Sequence, residues 1–115
     1  QLVVAATIEA VAEALVLAAR SGVDAAKVRE ALLGGFAGSK ILEVHGQRML
    51  DRAFEPGFRA RLHRKDARIV LDAARESGSA VPSFAVVAAQ LDRLVDDAGR
   101  GELDHSALFT LLDEA

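Results

Sequence analysis

The chain has 115 residues, enough for one domain, and its 51% apolar and 27% charged residues exclude a disordered polymer. A net charge of −3 is too small to point to a polyanionic partner, and the absence of cysteine excludes a disulfide framework and a thiolate metal site. Five Phe with no Trp or Tyr provide no aromatic platform for stacked bases.

The first twenty residues, QLVVAATIEAVAEALVLAAR, resemble a membrane or signal segment on hydropathy alone. They lack a basic leader and a small-residue cleavage site. Glu9 and Glu13 sit mid-segment, where a carboxylate in a bilayer would cost a few kcal/mol. The segment is expected to be a buried helix of a soluble, cytoplasmic protein, covered by other helices on several sides because it is apolar nearly all round. No N-cap precedes it, so the chain is expected to be a fragment that begins inside a helix. Glu9 and Glu13 lie one turn apart, which suits one face at a domain or subunit contact better than acid/base work.

SGVD ends the first helix. Asp24 can cap a second over about 25–33, which GGFAGS breaks, and Ser39 can cap a third running to about Leu50. DRAFEPG is a turn. A fourth helix is predicted from about Phe58 to Glu76, closed by SGSAVP. A fifth starts near Pro82, a residue suited to a first helical turn, and runs to about Ala98. After GRGELD, Asp104 can cap a short last helix over 105–113. No segment alternates with period two, so the expected fold is all-α, a single bundle of about six helices.

On a wheel of roughly 100° per residue, Phe58, Leu62, Ile69 and Ala73 share one arc, which is predicted to be buried. Lys65 and Asp66 project at its two edges. They are either boundary charges, the lysine snorkelling along apolar surface, or polar groups of a cleft that the arc faces. Arg61, Arg64, Arg68 and Arg75 gather on another flank, expected to be solvated. Over residues 59–68, five Lys or Arg against one Asp give +4, which leaves −7 for the rest of a −3 chain. No aromatic is interleaved and no helix-turn-helix or RNA-binding signature is present, so nucleic acid is not an expected partner. His45, His63 and His105 are isolated in the sequence and are not expected to make a metal cluster. His63 lies off the apolar arc and is expected to be exposed or loosely bonded. His45 is placed near the end of the third helix, His105 in the turn after Asp104, and Met49 in the core.

ALLGGFAGSKILEVHGQRML, FEPGFRARLHRKDARIVLDAA and GELDHSALFTLL, in this order, resemble the C-terminal helical domain of the β-hydroxyacid dehydrogenases, which include 3-hydroxyisobutyrate dehydrogenase. The GGFA, F-PGF---LH-KD and LDHSAL runs look closer to the tartronate semialdehyde reductase (2-hydroxy-3-oxopropionate reductase) branch. The resemblance covers essentially all 115 residues. It implies a 6-phosphogluconate-dehydrogenase-like, two-domain NAD(P)-dependent enzyme, with the active site in the cleft between a Rossmann domain and this helical domain. Residues 1–115 would then be the helical cleft and oligomerisation domain, with the Rossmann domain outside this chain.

By the same resemblance, Lys65 corresponds to a lysine that contacts the cofactor near the nicotinamide. Asp66 corresponds to an adjacent aspartate that shapes the cleft, and Phe58 to an aromatic on the substrate side. The family's catalytic lysine belongs to a Lys-x-x-Asn motif, and Gln1 resembles the residue just after it. No catalytic residue is therefore assigned here, and the fragment alone is expected to be inactive. GGFAGS is not preceded by a strand and fails the context of a phosphate loop. The implied cofactor is NADP or NAD, the substrate a small hydroxy or oxo acid, and the assembly a homo-dimer or homo-tetramer. A non-catalytic helical interaction module is the alternative of another class.

Overall fold

A computed structural model describes residues 1–115 and contains six α-helices and no strand. They are α1 (Leu2–Arg20), α2 (Ala25–Leu33), α3 (Lys40–Asp51), α4 (Ala60–Ser77), α5 (Pro82–Asp92) and α6 (Leu108–Asp113). The all-α expectation holds, and α1 is the central element. It packs against α2, α3, α5 and α6, with α4 across its start. Ala5, Ile8, Ala12 and Leu15 recur at helical spacing and are essentially buried. α1 is long and apolar enough by composition to cross a membrane; here 33% of that stretch is buried against the other helices, and Val3 and Leu17 stay exposed.

The helix boundaries follow the capping chemistry where the caps are local. Asp24 accepts from Ala26 N–H at 2.9 Å, and Ser39 Oγ from Leu42 N–H at 2.9 Å, as their positions predict. Gly78 ends α4 with φ +72, a left-handed conformation that glycine adopts without Cβ strain. Gly38 allows another close approach in the α2–α3 loop, where an added Cβ would lie 2.9 Å from the Leu33 carbonyl oxygen.

Two boundaries differ from expectation. α4 begins at Ala60, and Phe58 lies in the preceding turn. No side chain caps this helix; instead Ala60 N–H donates to Leu103 O at 2.8 Å and Arg61 N–H to Gly101 O at 2.9 Å. A segment about forty residues away satisfies the first donors, a partner that local spacing cannot reveal. The fifth helix changes at Arg93 into a wider π turn that runs to Asp97, and it buries Leu94 completely.

The predicted face of α4 is reversed. Ala60, His63 and Ala67 are buried, and Val70, Leu71 and Ala74 continue that stripe half-buried. Ile69 is 59% exposed and Ala73 is exposed. At roughly 100° per residue the two sets lie on opposite sides of the helix. The tightest inward contacts of α4 are made by the alanines Ala60 and Ala67 and by His63, while Ile69, a large aliphatic residue, is left on the outer face. The arginine flank is solvated except for half-buried Arg64, and it is paired. Arg59 and Arg61 both contact Glu102, Arg64 contacts Asp96 at 2.8 Å, and Arg68 contacts Asp92 at 3.5 Å. The local excess of charge is thereby offset by acids at the end of α5, in the π turn and in the 99–104 loop.

Candidate functional site

The three residues singled out from the sequence lie along the first half of α4 and the turn before it. Lys65 carries a side chain 65% exposed, with Nζ 3.5 Å from Asp66 Oδ1. Asp66 is half-buried and its Oδ2 accepts from the Gln1 side-chain amide at 3.1 Å. Around this pair, Leu62, Ile69 and Ala73 make an outward-facing apolar strip. α4 therefore has two apolar faces, one in the core and one open, and the charged pair flanks the open one. Phe58 is half-buried and stands apart from the strip. Its ring meets the His63 and His105 rings edge-on, at centroid distances of 5.6 and 5.3 Å.

Those contacts lead to a buried polar cluster that the sequence does not announce. His63 is fully buried, contrary to the exposed position expected, and His45 lies inside α3 rather than near its end. The three histidines form one connected chain: His63 Nδ1 is 2.8 Å from His105 Nδ1, and His105 Nε2 is 3.0 Å from His45 Nε2. They stand far apart in the sequence, and no periodicity links α3, α4 and the 3-10 turn at His105–Ala107, so only the packing brings them together.

Asp104 anchors the cluster. Its Oδ1 accepts from Gly57 and Phe58 N–H at 3.0 and 3.1 Å, with Arg48 Nη1 at 3.3 Å. Its Oδ2 accepts from the Ser106 N–H and hydroxyl. Arg48 also donates to Glu55 O at 2.7 Å. Burial favours the neutral acid, but the Ser106 hydroxyl and the backbone N–H groups of Phe58 and Ser106 more than offset it. They hold Asp104 below the usual carboxylate range. The carboxylate thus staples the FEPGF turn to the start of the last helical segment and caps that segment, as its position predicts.

Burial lowers the proton affinity of all three imidazoles. His105 falls to about 4, despite the opposing pull of Asp104, and His63, His45 and Arg48 push it the same way as burial. Desolvation dominates at His45 and His63 too. His45 is thus neutral near pH 7, and its 3.7 Å approach to Asp104 is not an ion pair. His45, Asp104 and His105 place ligand-type atoms within 4.8 Å of one another, so they are not isolated as the sequence suggests. Both Asp104 oxygens and both His105 nitrogens are already hydrogen-bonded, which makes the group a polar network rather than a ready metal cage.

An apolar groove of about 290 Å³ lies between α1, α2 and α3, lined by Thr7, Ala10, Ala14, Leu32 and Leu42 among others. It includes no residue of α4 and carries one hydroxyl as its polar group, too little to orient an acid substrate.

Residues 1–112 match the protein family described as the NAD-binding part of NADP-dependent 3-hydroxyisobutyrate dehydrogenase. The chain belongs to the 3-hydroxyisobutyrate dehydrogenase family. Within this family it is 45% identical over 113 residues to the 2-hydroxy-3-oxopropionate reductase of Escherichia coli, covering 98% of this chain and 38% of that protein. It is 36% identical over 113 residues to a probable mitochondrial 3-hydroxyisobutyrate dehydrogenase-like protein of Arabidopsis thaliana, covering 98% of this chain and 34% of that one.

Two solved family members share the fold. The 3-hydroxyisobutyrate dehydrogenase of Salmonella typhimurium superposes with a TM-score of 0.89 at 26% identity, over 96% of this chain and 39% of that one. The Mycobacterium tuberculosis enzyme, with L-serine, gives 0.84 at 28% identity, over 96% of this chain and 40% of that one. The chain spans well under half the length of these relatives.

Proposed function

We propose that this chain is the helical half of an NAD(P)-dependent reductase that converts tartronate semialdehyde (2-hydroxy-3-oxopropanoate) to D-glycerate. The observation that carries this reading is the open apolar strip of α4 flanked by Lys65 and Asp66. A fully covered helix has no use for a second apolar face, whereas a wall of a cleft does. The 45% identity to a 2-hydroxy-3-oxopropionate reductase supports the choice of substrate. A nicotinamide dinucleotide, held mainly by residues outside this chain, would supply the hydride that with one proton turns the aldehyde into the alcohol. In this chain, Lys65 would hold the cofactor through its ammonium, and Asp66 fixes Lys65 and the start of α1. Leu62 and Ile69 exclude water from the same wall, and Phe58 borders the substrate side. This reading assigns no catalytic residue to the chain itself.

The domain also forms the homo-oligomer in this reading, through the exposed apolar residues Val3 and Leu17 of α1 and Val86 of α5. A 3-hydroxyisobutyrate or related 3-hydroxyacid dehydrogenase is the second reading, favoured by the L-serine in the mycobacterial relative, itself a 3-hydroxy acid.

The test is Lys65→Ala in the protein that joins this chain to its nucleotide-binding half, assayed for NADPH- and NADH-dependent reduction of tartronate semialdehyde. A large loss of kcat/KM with an unchanged unfolding midpoint is expected. Unchanged kinetics would remove Lys65 from the site.

A further inference from the structure

The histidine chain has a direction, and its fixed end sets it. Gln1 O is a carbonyl and can only accept, so His63 Nε2, 3.3 Å away, donates to it. A neutral imidazole carries a single N–H. His63 Nδ1 must then accept from His105 Nδ1, and His105 Nε2 must accept from His45 Nε2. Any other neutral assignment that keeps the first bond sets two lone pairs or two N–H groups against each other. The assignment leaves His45 Nδ1 as a bare lone pair, and that atom is the one imidazole nitrogen buried without a partner, opposite Asp104 Oδ2.

The donor end of this chain meets the candidate cleft. Gln1 presents its carbonyl oxygen to His63, sharing it with Ala5 N–H at 2.9 Å, and its side-chain amide to Asp66. His63 and Asp66 are neighbours one turn apart on α4, one buried and the other at the edge of the open strip. One residue at the start of α1 is therefore clamped between the buried and the open side of α4.

We propose that His63 is a positioning residue for the cleft: backed by His105 and His45, it donates to the Gln1 carbonyl and so fixes the turn from which Gln1 reaches Asp66, the partner of Lys65. The proposal rests on the assignment of Lys65 and Asp66 to the cleft. It specifies a tautomer for each histidine, which a merely space-filling imidazole would not need.

The first test is long-range 1H–15N correlation on 15N-histidine-labelled protein at neutral pH. The expected result is N–H on His45 Nε2, His105 Nδ1 and His63 Nε2, with the other nitrogens bare. A His63 carrying its proton on Nδ1 overturns the proposal. The second test uses His63→Gln, whose amide can still donate toward Gln1, against His63→Phe, which fills the space without a donor, in the full two-domain enzyme. Phe is expected to lower kcat/KM by about tenfold or more through lost alignment, and Gln to recover most of it. Equal kinetics for the two variants overturns the positioning role. Lys65→Ala in parallel separates the failures. If it leaves turnover unchanged, the cleft assignment is wrong and the positioning role falls with it, even when the tautomers are as stated.

Discussion

Asp104 accepts the backbone N–H of Phe58 at 3.1 Å from 46 positions further along the chain, and with it the N–H of Gly57 at 3.0 Å. The turn that delivers α4 is thus held by a side chain of the last helical segment. Removing the carboxylate leaves these donors, the Ser106 hydroxyl and Arg48 without their acceptor. Asp104→Ala is expected to cost about 3 kcal/mol or more, and Asp104→Asn less, because it keeps one acceptor oxygen. Urea midpoints for the two variants check this; an Ala variant within about 0.5 kcal/mol of wild type would refute it.

The two faces of α4 predict opposite responses to substitution. Ala67 is 1% exposed, so Ala67→Leu overpacks the contact and is expected to cost about 1–3 kcal/mol. Ile69 is 59% exposed, so Ile69→Ala is expected to change stability by less than about 0.5 kcal/mol. The wheel drawn from the large aliphatic residues predicts the reverse ranking, and thermal unfolding of the pair decides between them.

Acid should weaken the fold first through its histidines. His45, His63 and His105 are held below 6.5, the last at about 4, so each binds its proton more readily when unfolded. Their stabilisation is fully present above 6.5 and is lost as pH falls through the window toward their folded values. For His105, the step from 6.5 to about 4 corresponds to about 3 kcal/mol. The charged groups around the cluster are Asp104, Arg48 and Asp66. Asp104 has the carboxylate sign: its contribution persists above 3.8 and fades below. A urea midpoint that falls steadily between pH 6.5 and about 4 is expected, and a flat profile there would contradict the buried neutral chain.

Glu9 acts in the opposite sense. It is 6% exposed, with Oε1 bonded to Gln90 at 3.1 Å and Oε2 unpartnered. Burial, with Glu13 adding to it, raises its proton affinity, although Gln90 and Arg93 pull the other way. The ionised form therefore destabilises the fold above 4.5, and protonation relieves the cost as pH falls. Glu9→Gln is expected to stabilise the protein by about 1 kcal/mol at pH 7, with the gain shrinking toward pH 4. Equilibrium unfolding at both values tests the sign and its pH dependence.

Local chemistry in the sequence determined the helix count, the central position of α1, the caps at Asp24, Ser39 and Asp104, and the charged pair at Lys65–Asp66. Each depends on neighbours within about one helical turn, or on one helix's own periodicity. The family-like runs raise the expectation that the pair faces a cleft. Tertiary structure alone decided which side of α4 is buried, because the choice depends on how closely α1 and α5 approach it, and alanine serves a close approach better than isoleucine. It also decided the start of α4, whose first donors are satisfied by residues 101 and 103. The histidine chain belongs to the same class. A buried imidazole nitrogen without a partner is costly, and here every one but His45 Nδ1 finds its partner on Gln1, α3, α4 or the turn after Asp104, segments joined by the fold and not by spacing.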